Sequence, residues 1–208
     1  MSLNRSTEDP DAEQLSRKRG DRSTLTLETP APEYLAAYVA ALERGWSPDN
    51  ISPDVVAREH LAAIANDPLG FLARQEDREA KGGPITLPDG SQIQRLPGFT
   101  RWLWDGAFCG SIGLRWQLGT SELPPHVPGH IGFGVVPWER GKGHATRALG
   151  LMLDEARAVG LSYVELTTDP KNLASQRVIA ANAGILVERF NKPAAYGGGK
   201  ALRFRIRL

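Results

Sequence analysis

The chain has 208 residues, of which 41% are hydrophobic and 24% are charged, a size and composition typical of one globular domain. Its 25 basic and 24 acidic residues nearly cancel, so the overall charge favours neither nucleic acid nor an anionic membrane as a partner. No segment approaches the ~20 consecutive apolar residues of a membrane span, and the first residues lack the apolar core of a signal peptide. The single cysteine, Cys109, excludes an intrachain disulfide. We therefore expect a cytoplasmic protein without a nucleic-acid or membrane partner.

The N-terminal part divides into a predicted tail and the start of an ordered domain. Residues 1–22 combine many charges with few large apolar side chains, which predicts a disordered tail, and we expect one domain over residues 23–208. Residues 23–30 alternate like a strand. Helices are predicted after Pro32 and after Pro53, where apolar residues recur at helical spacing.

The middle of the chain is rich in hairpin signals. The turn at Pro88-Asp89-Gly90 predicts a small hairpin, and a second turn at Asp105-Gly106 joins two stronger strands. Trp102 and Trp104 alternate along the first of these strands, a pattern more typical of a core than of a cofactor site.

The C-terminal half alternates between strands and helices. Strands are predicted over 130–136 and 162–169, with a helix over about 143–158 between them. A strand–helix–strand unit implies a parallel pair with a right-handed crossover. A helix beginning near Asn172 and a final hairpin follow. The predicted class is α/β, with a mixed, mostly antiparallel central sheet and one parallel pair.

The segment Arg140-Gly141-Lys142-Gly143 lies directly before the predicted helix. At a helix N-terminus the first backbone N–H groups lack intrahelical partners, and the helix dipole favours an anion there. Two glycines let the backbone approach a phosphate closely, and two cations add charge. The turn is either an ordinary solvated turn or a phosphate cradle.

Two nucleotide-binding motifs are excluded by spacing. A P-loop needs four residues between its first glycine and Gly-Lys, followed by Ser or Thr. Here six residues separate Gly134 from Gly141-Lys142, and Gly143 occupies the Ser/Thr position. No segment has the G-x-G-x-x-G pattern of a dinucleotide site.

The segment "IGFGVVPWERGKGHATRAL" resembles the acetyl-CoA-binding segment of the GNAT superfamily of N-acetyltransferases, in which a strand and a V-x-P bend precede R-x-x-G-x-G/A. Arg140, Gly143 and Ala145 fill the three fixed positions. About thirty residues further on, "DPKNLASQRVIAANAGI" resembles the second signature of the superfamily, with Asn172, Ser175 and Ala183-Gly184 in place. The segment "LRWQL…GHIGFGVVPWERGKGHA" is especially similar to a branch of bacterial predicted acetyltransferases. The resemblance implies the GNAT fold, with the parallel pair splayed around acetyl-CoA.

The resemblance also implies which residues bind the cofactor. Phe133 to Val135 would pair main-chain groups with the pantetheine arm. Asn172 would hydrogen-bond that arm, with Ser175 nearby, although a plain helix N-cap is the alternative for Asn172. The CoA pyrophosphate would be held by the backbone N–H groups of Arg140, Gly141, Lys142, Gly143, His144 and Ala145.

The groups that move protons are less clear from the sequence. Relatives often carry a glutamate where this chain has His130, which is either a general base or a structural histidine within the sheet. His126 and Glu122 are weaker candidates. The tyrosine that often serves as general acid is replaced by Ile179, and Tyr196 either substitutes for it or acts as a lid or packing residue. A thiolate can also leave without an acid, because the pKa of a thiol is modest.

The predicted function is an acetyl-CoA-dependent N-acetyltransferase acting on a primary amine of a small molecule or a protein, without a metal and with a homodimer as one possibility. Arg115 and Trp116 either line an acceptor pocket for an acidic substrate or are ordinary strand residues. Two alternatives remain at this point: a non-catalytic acyl-CoA-binding or sensing module, and an interaction protein whose turn binds only incidental anions.

Overall fold

The protein is described by a computed structural model covering residues 25–86, 90–192 and 198–208. Five α-helices and ten strands lie in these residues, and none of these helices is long and apolar enough to cross a membrane. The helices are α1 (Pro32–Glu43), α2 (Pro53–Asn66), α3 (Pro68–Ala73), α4 (His144–Ala158) and α5 (Leu173–Ala181). The strands are β1 (Thr26–Glu28), β2 (Glu76–Asp77), β3 (Ile85–Thr86), β4 (Gln92–Ile93), β5 (Gly98–Trp104), β6 (Phe108–Arg115), β7 (Ile131–Val135), β8 (Tyr163–Thr168), β9 (Ile185–Asn191) and β10 (Lys200–Arg207).

The strands form two antiparallel sheets and one small hairpin. The first sheet has the order β1-β5-β6-β7, with β2 also paired to β5, and the second has the order β8-β10-β9. The small hairpin is β3–β4. The register pairs Ile112 of β6 with Phe133 of β7, and Phe204 of β10 with Leu166 of β8. Strands β7 and β8 are therefore the facing edges of the two sheets.

Those two edge strands touch at one end and separate towards the other. The amide of His130, immediately before β7, donates to the carbonyl oxygen of Glu165 in β8 at 2.7 Å. The Glu165 amide in turn donates to Nδ1 of the His130 side chain at 2.9 Å. No further β7–β8 ladder pairing occurs within the described residues. The result is the predicted splayed parallel pair, with α4 as the crossover.

Helices cover the first sheet on both faces, which places one core on each side of it. On one side, α4 packs Leu149 and Met152 against Leu103 and Ile112 of the sheet. On the other side, Tyr38 of α1 stacks on Trp102, with ring centroids 4.6 Å apart. Burial of large apolar and aromatic groups in both cores stabilises the positions of the strands. Trp102 is a core residue, as the sequence predicted.

Several details differ from the sequence-based expectations. The short helix α3 was not predicted, because its six residues are too few to show a periodic pattern. Val55, an apolar residue in the first turn of α2, is 45% exposed, whereas Leu61 and Ile64 of the same helix pack against the core. The predicted hairpin tip at 88–89 and the residue Tyr196 lie outside the described residues.

Candidate functional site

The turn before α4 presents a row of free backbone donors. Val136 is fully buried, and a short 3-10 turn over Pro137–Glu139 then leads the chain from the end of β7 to the start of α4. The first bond of the helix runs from the Arg147 amide to the carbonyl of Gly143, at 3.1 Å. Among the described residues, the amides of 141–146 have no hydrogen-bond acceptor. These donors and the helix dipole favour an anion at this turn.

The backbone conformation explains both glycines of the turn. Gly141 has φ 81° and Gly143 has φ 84°, values in the left-handed region that other residues resist. A Cβ added at either position would meet no protein atom within 4 Å, so the turn is open on its outer side. The glycines are therefore required by the path of the chain and not by crowding within the protein.

The charged side chains of the turn are held by neighbours. The Nε atom of Arg140 donates to the carbonyl oxygen of Val135 at 3.1 Å, which ties the turn back to the end of β7. Lys142 is exposed and pairs with Glu139, with Nζ 2.7 Å from Oε2, and this pairing raises the pKa of Lys142. The side chain of His144 is buried, with Nε2 3.4 Å from Glu139 Oε2. Only the backbone of His144 is available to a ligand.

A groove lies between the separating ends of β7 and β8, with a volume of about 370 Å³. We call it the β7–β8 groove. Its walls come from Gly132 and Phe133 of β7 and from residues 166–168 of β8, and Lys192 lies at its margin. Within the described part of the chain, β7 pairs with β6 on one edge only, so its other edge is unpaired and faces this groove. An extended ligand can bind there as an added strand. Val135 lies at the end of β7 but does not line the groove.

Asn172 and Ser175 line the same groove and also begin α5. Asn172 Oδ1 accepts a hydrogen bond from the Ser175 amide at 3.0 Å, so Asn172 is the N-cap of that helix. This bond uses the side-chain oxygen and leaves the Asn172 NH2 group to donate elsewhere. The structure therefore brings both residues to the groove and gives Asn172 its capping role as well.

His130 is a buried residue that joins the two sheets. Its side chain is fully buried, and burial lowers its pKa to about 4. Because Nδ1 accepts the amide hydrogen of Glu165, the neutral ring carries its own hydrogen on Nε2. That ring has no free lone pair with which to take a proton from an amine, and it lines neither the groove nor the larger cavity described below. Its geometry supports the structural alternative and not the role of a base.

Ile179 occupies the position of the tyrosine found in many relatives, and it is almost fully buried at the floor of the groove. Gly184 packs directly against it. A Cβ added at Gly184 would lie 2.2 Å from Ile179 Cγ2 and 2.8 Å from the Ile179 carbonyl oxygen, so only glycine fits. Gly184, which matches the second signature, therefore packs against Ile179 near the end of α5.

A second cavity, of about 480 Å³, lies on the other side of β7, and we call it the large cavity. Its walls come from α1, α2, the loop before α2 and the cavity-facing parts of β5 and β6. Arg115 lines it, as the sequence suggested, whereas Trp116 is buried and packs against Phe99. The charged and titratable side chains that line the large cavity are Tyr38, Asp49, His60, Arg74, Asp77, Arg95 and Arg115.

The two spaces meet at β7. Gly132 and Phe133 line both of them, as do Asn50 and Ile51 in the loop before α2. A Cβ added at Gly132 would meet no protein atom within 4 Å, so the strand is open at this point. A ligand in the groove and a ligand in the large cavity can therefore reach each other across Gly132.

Sequence reasoning missed most residues of the large cavity. His60 belongs to α2 and Asn50 to the preceding loop, and neither lies in a recognisable motif. Their one sequence signal is residue type, since histidine is a common proton acceptor near neutral pH. Of the weaker candidates, neither His126 nor Glu122 lines either space.

Comparison with known proteins gives a consistent result. The acetyltransferase (GNAT) domain model matches residues 7–183, whereas no curated protein matches the chain. Among solved structures, a microcin self-immunity acetyltransferase, MccE, in complex with acetyl-CoA and AMP, has a TM-score of 0.59 at 11% identity, over 88% of this chain and 92% of that one.

Two further structures have the same fold. RimJ of Mycobacterium smegmatis, in complex with a CoA disulfide, has a TM-score of 0.58 at 20% identity, over 88% of this chain and 81% of that one. RimL, a ribosomal-protein alpha-N-acetyltransferase in complex with coenzyme A, has a TM-score of 0.57 at 14% identity, over 89% of this chain and 95% of that one. At these identities the likeness establishes the fold, and the domain match establishes the family. The chain belongs to the GNAT acetyltransferase family.

Proposed function

We propose that this chain transfers the acetyl group of acetyl-CoA to a primary amine, by direct attack of the amine on the thioester. The observation that carries the proposal is the meeting of two spaces at Gly132: the β7–β8 groove, lined by the strand that leads to the free amides, and the large cavity on the other side of that strand. Direct transfer needs donor and acceptor within reach of each other in one site.

The donor is proposed to lie along the groove. Its pyrophosphate accepts hydrogen bonds from the amides of 141–146. Its pantetheine arm runs along Phe133 to Val135 and accepts a hydrogen bond from the side-chain NH2 group of Asn172. The free amides, the unpaired edge of β7 and the position of Asn172 support this arrangement. The RimJ, RimL and MccE structures, which hold CoA, a CoA disulfide or acetyl-CoA, support the same donor.

The reaction needs a free amine and a leaving thiolate. A protonated amine first loses one proton, and its lone pair then attacks the thioester carbon. The C–N bond forms, the C–S bond breaks, and CoA leaves with the electron pair. The second amine proton is lost as the amide forms, and the thiol of CoA is the net product. Because a thiolate is a modest base, this step proceeds without an acid at the position of Ile179.

The acceptor is proposed to bind in the large cavity as a primary amine carried by a polar molecule or by a protein chain end. Asp49 and Asp77 supply negative charge for an ammonium group, and Arg74, Arg95 and Arg115 supply positive charge around it. Both kinds of acceptor fit the proposal, since one related structure is a protein alpha-N-acetyltransferase and another was solved with AMP.

Two measurements test the proposal. Calorimetry with acetyl-CoA should show one site per chain, and no binding at millimolar ligand would overturn the donor assignment. Release of CoA thiol should then be followed with a panel of lysine derivatives, amino-acid amides, aminonucleosides and peptides with free α-amino ends. At least one amine should give an amide and a thiol in equal amounts. Tight binding of acetyl-CoA without transfer to any amine would instead favour the sensing module.

A further inference from the structure

Among the described residues that line the large cavity there is one histidine, His60. His60 lies on α2 and is half-buried, and its ring packs edge-on against Phe71 of α3 at 5.1 Å. It lines the large cavity, which opens to the groove at Gly132. We propose, on the basis of the proposed function, that His60 is the general base that takes the proton from the acceptor amine, and that Tyr38 positions it.

The contact between these two residues fixes the orientation of the ring. The Tyr38 hydroxyl oxygen lies 2.7 Å from His60 Nδ1. Tyr38 is held in turn by stacking on Trp102 and by edge contacts with Trp46 and Phe108. When Nδ1 donates its hydrogen to the Tyr38 oxygen, Nε2 keeps a free lone pair. Among the described residues no hydrogen bond reaches Nε2, and that atom is not sealed from solvent.

The protonation state of His60 suits a base. Burial lowers the pKa of His60, while Glu59 on the same helix and Asp49 in the preceding loop oppose that change. The ring is therefore largely uncharged near neutral pH, when it can accept a proton. After it accepts one, both ring nitrogens carry hydrogen, and the nearby Asp49 carboxylate stabilises the cation.

Other groups that face His60 across the cavity are poorer bases. Asp49 Oδ1 already accepts from the amides of Ile51 and Ser52, at 2.7 and 2.6 Å. Asp77 accepts from the amides of Lys81 and Gly82, and these bonds, with the charge of Arg95, give it a lowered pKa. The cationic groups are Arg74 directly after α3, Arg95 before β5 and Arg115 of β6, and Tyr38 has a raised pKa because it is buried.

The proton balance follows from this geometry. The ammonium group of the acceptor gives a proton to His60 Nε2, and the freed lone pair attacks the thioester as described above. The imidazolium then returns its proton to solvent through the open side of the cavity, or to the departing thiolate.

The first test compares His60→Gln with the matched control Arg58→Gln, an exposed residue on the same helix. With the best amine of the panel, His60→Gln should lower kcat/KM by about 100-fold or more at pH 7.5 and remove the acid limb of the pH profile. Arg58→Gln should change neither. Equal acetyl-CoA affinity and melting temperature in the three proteins exclude misfolding. A His60→Gln protein with a rate within threefold of the wild type and an intact acid limb would overturn the proposal.

A second variant and a measurement on the unaltered protein keep the proposal testable if His60→Gln fails to fold. Tyr38→Phe keeps the ring stacking and removes the bond to Nδ1, so it should lower kcat about fivefold and shift the acid limb. In the unaltered protein, the pH midpoint of the His60 ring resonance in NMR should equal that of the acid limb of kcat/KM. A mismatch would contradict the proposal. Absence of any amine transfer by the wild type is a separate result, which contradicts the proposed function itself.

Discussion

The two halves of the site are built in different ways. The groove and the turn that we propose as the anion site depend on backbone groups: an unpaired strand edge, free amides and the end of one helix. The large cavity is lined by side chains of α1, α2 and the loop before α2, and by parts of β5 and β6. A site built from backbone binds the same ligand whatever the neighbouring side chains are, whereas a site built from side chains changes its ligand with a few substitutions. The first half therefore suits a fixed donor, and the second suits a variable acceptor.

The largest effect is expected from charge reversal in the turn. In Arg140→Glu with Gly143→Asp, two carboxylates approach the CoA pyrophosphate, at a cost of about 4 kcal/mol for each contact near 4 Å at a surface-like dielectric. Acetyl-CoA affinity measured by calorimetry should fall by more than about 100-fold.

The matched control for that pair is Arg157→Glu with Gly160→Asp, at the other end of α4. Gly160 has φ 88° and an open outer side, so the control carries the same backbone strain and the same change of charge. It should leave acetyl-CoA affinity unchanged. An equal loss of affinity in both proteins would show that the turn has no special role.

The next largest effect is expected where the two halves meet. Gly132→Val should lower turnover by about 10- to 100-fold, because the new side chain fills the opening between donor and acceptor. The fold should be unaffected, since valine suits a strand and no protein atom lies near the new Cβ. In thiol-release assays, the turnover of Gly132→Ala should lie between that of the wild type and that of Gly132→Val. A Gly132→Val enzyme with normal turnover would contradict the meeting of the two spaces at this residue.

An intermediate effect, on stability, is expected from His130→Asn. In the folded protein the pKa of His130 is depressed to about 4, below its unfolded value near 6.5, so the unfolded chain binds the proton more tightly. The contribution of the neutral ring is complete above pH 6.5 and is lost as the pH falls towards 4, and it amounts to about 3 kcal/mol at most.

The asparagine oxygen can replace Nδ1 as acceptor for the Glu165 amide but does not titrate. Urea unfolding of His130→Asn between pH 7.5 and 4.5 should therefore show a weaker loss of stability than in the wild type. The pH profile of its catalysis should keep its shape. Loss of the acid limb of catalysis would instead restore His130 as the base.

The smallest effect is expected from Lys142→Ala, which removes an exposed cation paired with Glu139. Acetyl-CoA affinity should fall by no more than about fivefold, and the loss should shrink as salt is raised from 50 to 500 mM. A larger, salt-independent loss would mean that the side chain of Lys142 contacts the donor directly.

The same contrast explains what the sequence could predict. The turn, the strand before it and the cap at Asn172 follow from glycines, capping residues and apolar periodicity, which are local signals, and the structure confirms these elements. His60 and Gly132 share a cavity because of the way α2 packs against α1 and α3, and no local pattern reports that packing. His130 shows the same limit of local sequence signals for a residue that the sequence did single out. Its residue type left a general base and a structural histidine as alternatives, and the bond to Glu165 that supports the second depends on a strand thirty-five residues further along. The tail boundary at residue 22 and the role of Tyr196 stay predictions.

The most direct test of the account is the map of backbone amide shifts in NMR as the protein is titrated with CoA. We expect large changes for residues 133–135, 141–146 and 172–175, and small ones in α1, α2 and α3. Saturable binding with its largest changes in those three helices, and none in 141–146, would contradict the assignment of the β7–β8 groove as the donor site.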